Sequence, residues 1–354
     1  MNKTNIVRFT LALALKPAMR ITEPLIDILK HDCTKSFRWL SLATWLVVFG
    51  SVGGNSTVMA SPPTIESREF YVTTADGVSI FVREKFRSGG DKVPVLLVHG
   101  TWSNSSTWDF PGRSVMDYLA ERGYDVYALD LRGMGRSEHP ANYLTIGLPE
   151  RVGDVAAAAS YIITTTGRQP VVIGHSQGAW LTILLAANHP ELLVGLGLSG
   201  MPGNGLYVPP DLIALLEAII ASGADRAAIP PEKAYLLAFG FDPVTGRPTI
   251  SQDAFAIFAA LLEPDSVPVL VQQGTPDFFN SVMAPALPTI HAPALVVDGA
   301  LDFEVGEARA RVLYDALGSE QKQIIILPRN AHFCFLEDNF HATMRAFDSF
   351  LAQF

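Results

Sequence analysis

From residue 69 onward the chain alternates between short apolar runs and longer stretches with helical spacing. EFYVTTADGVSIFVREKF (69–86) is two extended runs around Asp76-Gly77, a residue pair suited to a hairpin turn. Six further runs follow: VPVLLVHG (93–100), YDVYALD (124–130), PVVIGHS (170–176), LLVGLGLSG (192–200), APALVVDG (292–299) and KQIIILP (322–328). Unbroken Val/Ile/Leu runs separated by helical stretches point to strands covered on both faces. The pattern predicts an α/β fold: a mostly parallel central sheet with helices on both faces, led by an antiparallel hairpin.

One interval departs from this rhythm. Between Gly200 and His291 the segments PPDLIALLEAIIASG, PPEKAYLLAFGF and SQDAFAIFAALLE read as helices punctuated by Pro-Pro pairs and glycines. Such a length is too great for a loop, so residues 201–291 are expected to form a helical cap. The core is then split into 61–200 and 292–354.

The first 60 residues differ from the rest. Lys35 and Arg38 precede the apolar run WLSLATWLVVFG (39–50), and Val58-Met59-Ala60 before Ser61 has the form of a signal-peptidase site. The run is shorter than the roughly 20 residues that a membrane span requires. Residues 1–60 are therefore expected to be an export signal, sending the protein to the periplasm or outside the cell; the alternative is an N-terminal anchor through 39–50. Met19 is a second candidate start, because the segment ahead of the run is long for a signal peptide. Setting aside the seven basic and three acidic residues of 1–60 deepens the net charge from −9 to −13. A surface of that sign repels phosphate backbones and argues against a nucleic-acid partner. The chain has two cysteines, Cys33 and Cys334, so no internal disulfide can survive removal of the N-terminus.

The most informative stretch is VVIGHSQGAW (171–180), where an apolar strand breaks off into Gly174-His175-Ser176-Gln177-Gly178 and then resumes as a helix. A sharp strand-to-helix turn exposes one side chain at its bend, and the residues two before and two after crowd together, which favours glycine at both. The helix that follows aims its N-terminal amides at negative charge formed nearby. A free serine hydroxyl is a poor nucleophile, so Ser176 calls for a base and an acid to orient that base.

With LLVHGTW, ALDLRGMGRSEHP, VIGHSQGA, LVVDGALDF and RNAHFCFLED in this order, the chain resembles the α/β-hydrolase superfamily, in particular its serine esterases and lipases with a helical cap. The likeness runs from about Glu69 to the C-terminus. It implies a triad in the order Ser, acid, His. Asp302, three residues past Gly299, falls where the family's acid lies; Asp298 is the competitor but sits before the glycine. His332 matches the histidine after the last strand, whereas His341 reads as helix surface. The oxyanion donors implied are the backbone N–H groups of Gln177 and Thr101, with Trp102 the neighbouring candidate for the second. His99 and His175 are expected to shape and pack rather than react, and Arg132 and Arg136 to have no catalytic role.

Trp102 and Trp108 are expected near the mouth of the site, either as substrate contacts or as ordinary packing. Phe239, Phe241, Phe255 and Phe258 either line the pocket or form the core of the cap. Cys334 reads as a small buried filler. No cluster has metal-ligand spacing and no glycine-rich loop suits a dinucleotide, so no cofactor is expected. The function implied is hydrolysis of a small carboxylic ester, without stable membrane insertion once the signal is cleaved. The same residues could open a lactone, an amide or a carbon–carbon bond beside a ketone, and a non-catalytic ligand-binding role is the alternative class.

Overall fold

The computed structural model describes residues 6–8, 64–201, 214, 217, 218 and 220–354. The expected export signal, its cleavage site, the 39–50 run and Cys33 lie outside the described residues, as does most of the helix expected over 209–223. Among the described residues no helix is long and apolar enough to cross a membrane.

The apolar runs form one eight-stranded sheet. Its strands are β1 (Ile65–Thr73), β2 (Ser79–Arg87), β3 (Val95–Val98), β4 (Val126–Leu129), β5 (Val171–His175), β6 (Gly195–Ser199), β7 (Ala294–Gly299) and β8 (Lys322–Leu327). Their order is β8-β7-β6-β5-β3-β4-β2-β1. The hairpin β1/β2 and the β2/β4 pair are antiparallel, and the remaining pairs are parallel, as the residue pattern predicts. The hairpin turn holds Asp76-Gly77, with the Gly77 N–H donating to the Thr74 carbonyl at 3.0 Å.

Both faces of the sheet are covered, and this is why its strands lack polar alternation. Leu96, Val98, Val172 and Val296 face α2 (Leu148–Thr166) and α3 (Gln177–Asn188). Val95, Leu97, Ile173 and Val297 face α1 (Val115–Ala120) and the C-terminal helix Phe340–Leu351.

Between β6 and β7 lie α4 (Pro231–Ala238), α5 (Gln252–Ala260), α6 (Val267–Gly274) and a helical run over 276–289 that includes a π turn at Phe279–Met283. A short strand, Arg226–Ala228, pairs with Asp265–Ser266 in this segment. That pairing has no clear signal in the sequence, because neither piece is long enough to show a period.

The strand order fixes where chemistry can happen. The chain passes from β3 to β4 on one side and then crosses to β5 on the other, so β3 and β5 are neighbours whose connections leave in opposite directions. Such a switch point opens a crevice beyond the carboxyl ends of the two strands. His99-Gly100-Thr101 follows β3 at that crevice, and Ser176 follows β5.

Candidate active site

Ser176 occupies the bend between β5 and α3 with φ +52° and ψ −117°, a left-handed conformation that a side chain rarely adopts. Strain of this kind costs on the order of 1–3 kcal/mol. The surroundings hold it: the Ser176 N–H donates to the Ser199 carbonyl of β6 at 2.8 Å. The flanking glycines are required by contact. A Cβ on Gly174 would lie 2.2 Å from the Gly178 carbonyl oxygen, and one on Gly178 would lie 2.2 Å from the Val98 carbonyl oxygen. The G-x-S-x-G pattern is thus the sequence trace of two backbones touching.

Asp302 and His332 are brought together from the loops after β7 and β8. His332 Nδ1 donates to Asp302 Oδ2 at 2.8 Å, and the other carboxylate oxygen accepts the Glu304 and Val305 N–H groups at 2.8 and 3.1 Å. With Oδ1 occupied by the backbone, only Oδ2 is left to face the imidazole, which fixes the proton on Nδ1 and leaves Nε2 as the basic atom. Burial works against a charged His332, but the Asp302 carboxylate, helped by Glu304 and Glu337, lifts its pKa to about 9. Burial raises Asp302 in turn, yet the imidazolium outweighs it and the net direction is down. Asp298, at the end of β7, goes the other way: burial and the Asp302 charge push it well above the usual carboxylate range.

His175, the residue before the serine, contacts His332. Its Nε2 donates to the His332 carbonyl at 3.1 Å, and the two rings are 4.8 Å apart. Burial, and then the charge on His332, keep His175 neutral by driving its pKa well down. Among the described residues no hydrogen bond joins the Ser176 hydroxyl to His332, and His332 Nε2 lies 4.0 Å from Glu304 Oε2. Hydrogen bonds of this type are often long in a ligand-free site and shorten when substrate arrives.

Gln177 opens α3, and among the described residues neither its N–H nor that of Thr101 has an acceptor. The Trp102 N–H, in contrast, is directed at Asp265 Oδ2 at 3.5 Å, which favours Thr101 over Trp102 as the second donor. Trp102 has φ +57°; it and Ser176 are the two non-glycine residues with positive φ among those described.

Sequence reasoning missed Arg151, Asp265, Glu304 and Glu337. The signal for Arg151 was present: on α2 it shares the buried stripe of Leu148, Val152, Val155 and Ile162. A charge on an apolar helix face requires a buried partner, and here the partner is Asp265. Burial pushes Asp265 up, but the Arg151 guanidinium prevails and holds it below the usual range.

Of the two readings of Trp108, burial favours packing over substrate contact. The indole is fully buried, stacked on Phe335 with ring centroids 4.2 Å apart, so it is part of the core beneath the site and not a substrate contact. Trp102 is half-buried against Val267 and Leu270, with its Nε1 donating to the Ala227 carbonyl at 3.1 Å. Phe239 and Phe258 are buried and meet Phe333, the residue after His332, at 5.8 and 4.9 Å; Phe255 packs on both, while Phe241 is exposed. His99 accepts the Leu131 N–H through Nε2 and orders the loop after β3. Arg132 pairs with Asp76 and Asp154, and Arg136 with Glu69. Cys334 is buried, its thiol pushed up to about 12 chiefly by burial, and His341 is exposed on the last helix.

A sequence model described as the alpha/beta hydrolase family matches residues 95–346, more than half of the chain. Lipase member K of Homo sapiens is 27% identical over 184 residues, 43% of this chain and 46% of that protein. A non-heme haloperoxidase of Rhodococcus erythropolis is 32% identical over 120 residues, 34% of this chain and 39% of that protein. The aligned region thus spans less than half of these curated relatives. Among solved structures, a thermophilic esterase from Thermogutta terrifontis superposes with TM-score 0.62 at 17% identity, covering 81% of this chain and 98% of that one. An enol-lactonase from Burkholderia xenovorans gives TM-score 0.62 at 17% identity over 80% and 100%.

Proposed function

Because the chain belongs to the alpha/beta hydrolase family, we propose that it is a serine hydrolase cleaving a carboxylic ester through an acyl-enzyme on Ser176. The observation that carries the reading is a strained serine at the strand-to-helix bend, whose neighbour His175 packs on a histidine already oriented by a buried carboxylate. Lipase and esterase relatives favour the ester over other acyl substrates.

In this reading His332 Nε2 takes the Ser176 proton as Oγ bonds to the acyl carbon. The carbonyl oxygen becomes an oxyanion that accepts the N–H groups of Gln177 and Thr101. Loss of one such donor typically costs about 2.7–4 kcal/mol of transition-state stabilisation. The tetrahedral adduct then breaks its bond to the alkoxy oxygen, which leaves as the alcohol with the proton from His332. Water, deprotonated by the same imidazole, attacks the acyl-enzyme; the second adduct releases the acid, and the proton returns to Ser176. Asp302 holds the tautomer and stabilises the imidazolium without itself taking the proton.

The test combines a panel of p-nitrophenyl esters of graded acyl length, with lactones and amides alongside, and covalent labelling by an organophosphonate. Wild type is expected to hydrolyse esters and to gain one adduct, both lost in Ser176→Ala. A wild type that neither labels nor turns over any acyl substrate would sink the proposal and favour a ligand-binding role.

A further inference from the structure

The buried pair of Arg151 and Asp265 poses a problem that stability does not solve. Both side chains are fully buried and meet through two contacts, Nη2 to Oδ1 at 2.6 Å and Nη1 to Oδ2 at 3.2 Å. Removing two such charges from water costs several kcal/mol per ion, and apolar replacements of the same volume are often neutral or stabilising. A pair like this one is therefore poorly explained as a stabiliser alone.

Its neighbours suggest another role. Arg151 Nη1 donates to Gln177 Oε1 at 2.5 Å. The amide nitrogen of the same Gln177 side chain then faces Thr101 Oγ1 at 3.3 Å and Asp265 Oδ2 at 3.4 Å. Asp265 Oδ2 also lies 3.5 Å from the Trp102 N–H, and Thr101 Oγ1 donates to Gln273 Oε1 at 3.2 Å. Two residues with unaccepted N–H groups at the crevice, Gln177 after β5 and Thr101 after β3, are thus joined through their side chains to one ion pair. The two side chains also meet directly, Gln177 Nε2 donating to Thr101 Oγ1, and the ion pair grips the Gln177 amide from its other end.

The pair also spans two parts of the chain. Arg151 lies on α2 of the sheet layer, and Asp265 belongs to the segment inserted between β6 and β7. Two further contacts run the same way: the Glu263 N–H donates to the Trp102 carbonyl at 2.9 Å, and Trp102 Nε1 donates to the Ala227 carbonyl. Together they hold Trp102 in its left-handed conformation beside Thr101.

We propose that Arg151 and Asp265 are positioning residues that set the direction of the Thr101 and Gln177 N–H groups, so that the inserted segment controls the oxyanion site. The inference rests on the acyl-transfer reading above. Its consequence is that a change in the inserted segment alters kcat, where a mere lid would alter KM. Donors aimed at developing charge are effective because they are fixed in advance, and a guanidinium bonded to a carboxylate is a rigid anchor for them.

The test is the charge-free double variant Arg151→Met/Asp265→Leu, assayed beside wild type for melting temperature, for kcat and KM on the best p-nitrophenyl ester, and for inhibition by a trifluoromethyl ketone that adds to the serine. The ketone adduct carries the oxyanion and so reports on the donors directly. The expected result is a folded enzyme whose kcat falls about 10- to 100-fold, less than outright loss of a donor, with KM within about threefold. The ketone inhibition constant should rise by a similar factor. A folded variant with wild-type kcat and ketone affinity, or one changed in KM alone, overturns the inference. Should the double variant not fold, Gln177→Met cuts the connection while leaving the ion pair intact, and wild-type kcat and ketone affinity there overturn it equally. A wild type without acyl activity would instead remove the reading on which the inference stands.

Discussion

His332 Nδ1 donates to Asp302 Oδ2 at 2.8 Å, while Asp298, at the other end of the same short turn, accepts the N–H of Gly299 at 2.8 Å. Burial raises both carboxyls; at Asp302 the charge of His332 outweighs it, while at Asp298 the Asp302 charge adds to it, so the two move in opposite directions. Asp302→Asn should therefore lower kcat by about 10⁴-fold through loss of the correct tautomer. Asp298→Asn, at a carboxyl whose charged form is disfavoured by burial and which does not touch His332, should keep activity within about tenfold. Steady-state kinetics on the two folded variants decide the assignment, and the reverse ranking would move the acid to Asp298.

The lifted pKa of His332 sets the pH response. If His332 is the base proposed above, only its neutral form can accept the serine proton, so kcat/KM should rise with pH along a limb above the ordinary histidine value of about 6.5 and toward 9. Stability moves the opposite way. A group whose folded pKa is raised contributes fully below its unfolded value and loses that contribution as pH rises through the folded one. This group's share of stability should thus decline between about pH 6.5 and 9. A pH profile of kcat/KM with its limb at or below 6.5 would contradict the electrostatics described here.

Gly178→Ala would place a methyl group 2.2 Å from a backbone oxygen of β3, an atom that cannot swing aside. Destabilisation of about 3 kcal/mol or more is expected, at the upper end for overpacking. Denaturant unfolding would measure it, and a loss below 1 kcal/mol would mean that the bend relaxes easily.

Trp108→Ala is expected to cost about 3–5 kcal/mol as a large buried aromatic. Because Trp108 stacks on Phe335 and not on the crevice, Trp108→Phe should lower the melting temperature while leaving KM for a short ester within about twofold. A large KM change in folded Trp108→Phe would restore it as a substrate contact.

Much of this protein is determined by rules that act within a few residues. Runs such as VVIGH form strands because β-branched side chains suit a covered sheet, and Gly174 is dictated by a contact with Gly178 four residues on, so the sheet and the bend can be read along the chain, whereas Gly178 is held to glycine by the distant Val98 carbonyl of β3. Asp302 and His332 follow strand ends and lie close to detectable motifs, although their 2.8 Å contact depends on β7 and β8 pairing in parallel. Trp108 and Arg151 are of a different kind. Whether an aromatic points to the crevice or to the core depends on which helix lies beneath it, and the stacking of Trp108 on Phe335 joins residues far apart in the chain. The position of Arg151 on an apolar face foretold burial but not its partner, which stands 114 residues away. Electrostatic and packing partners are chosen by distance through space, and only the folded chain sets that distance.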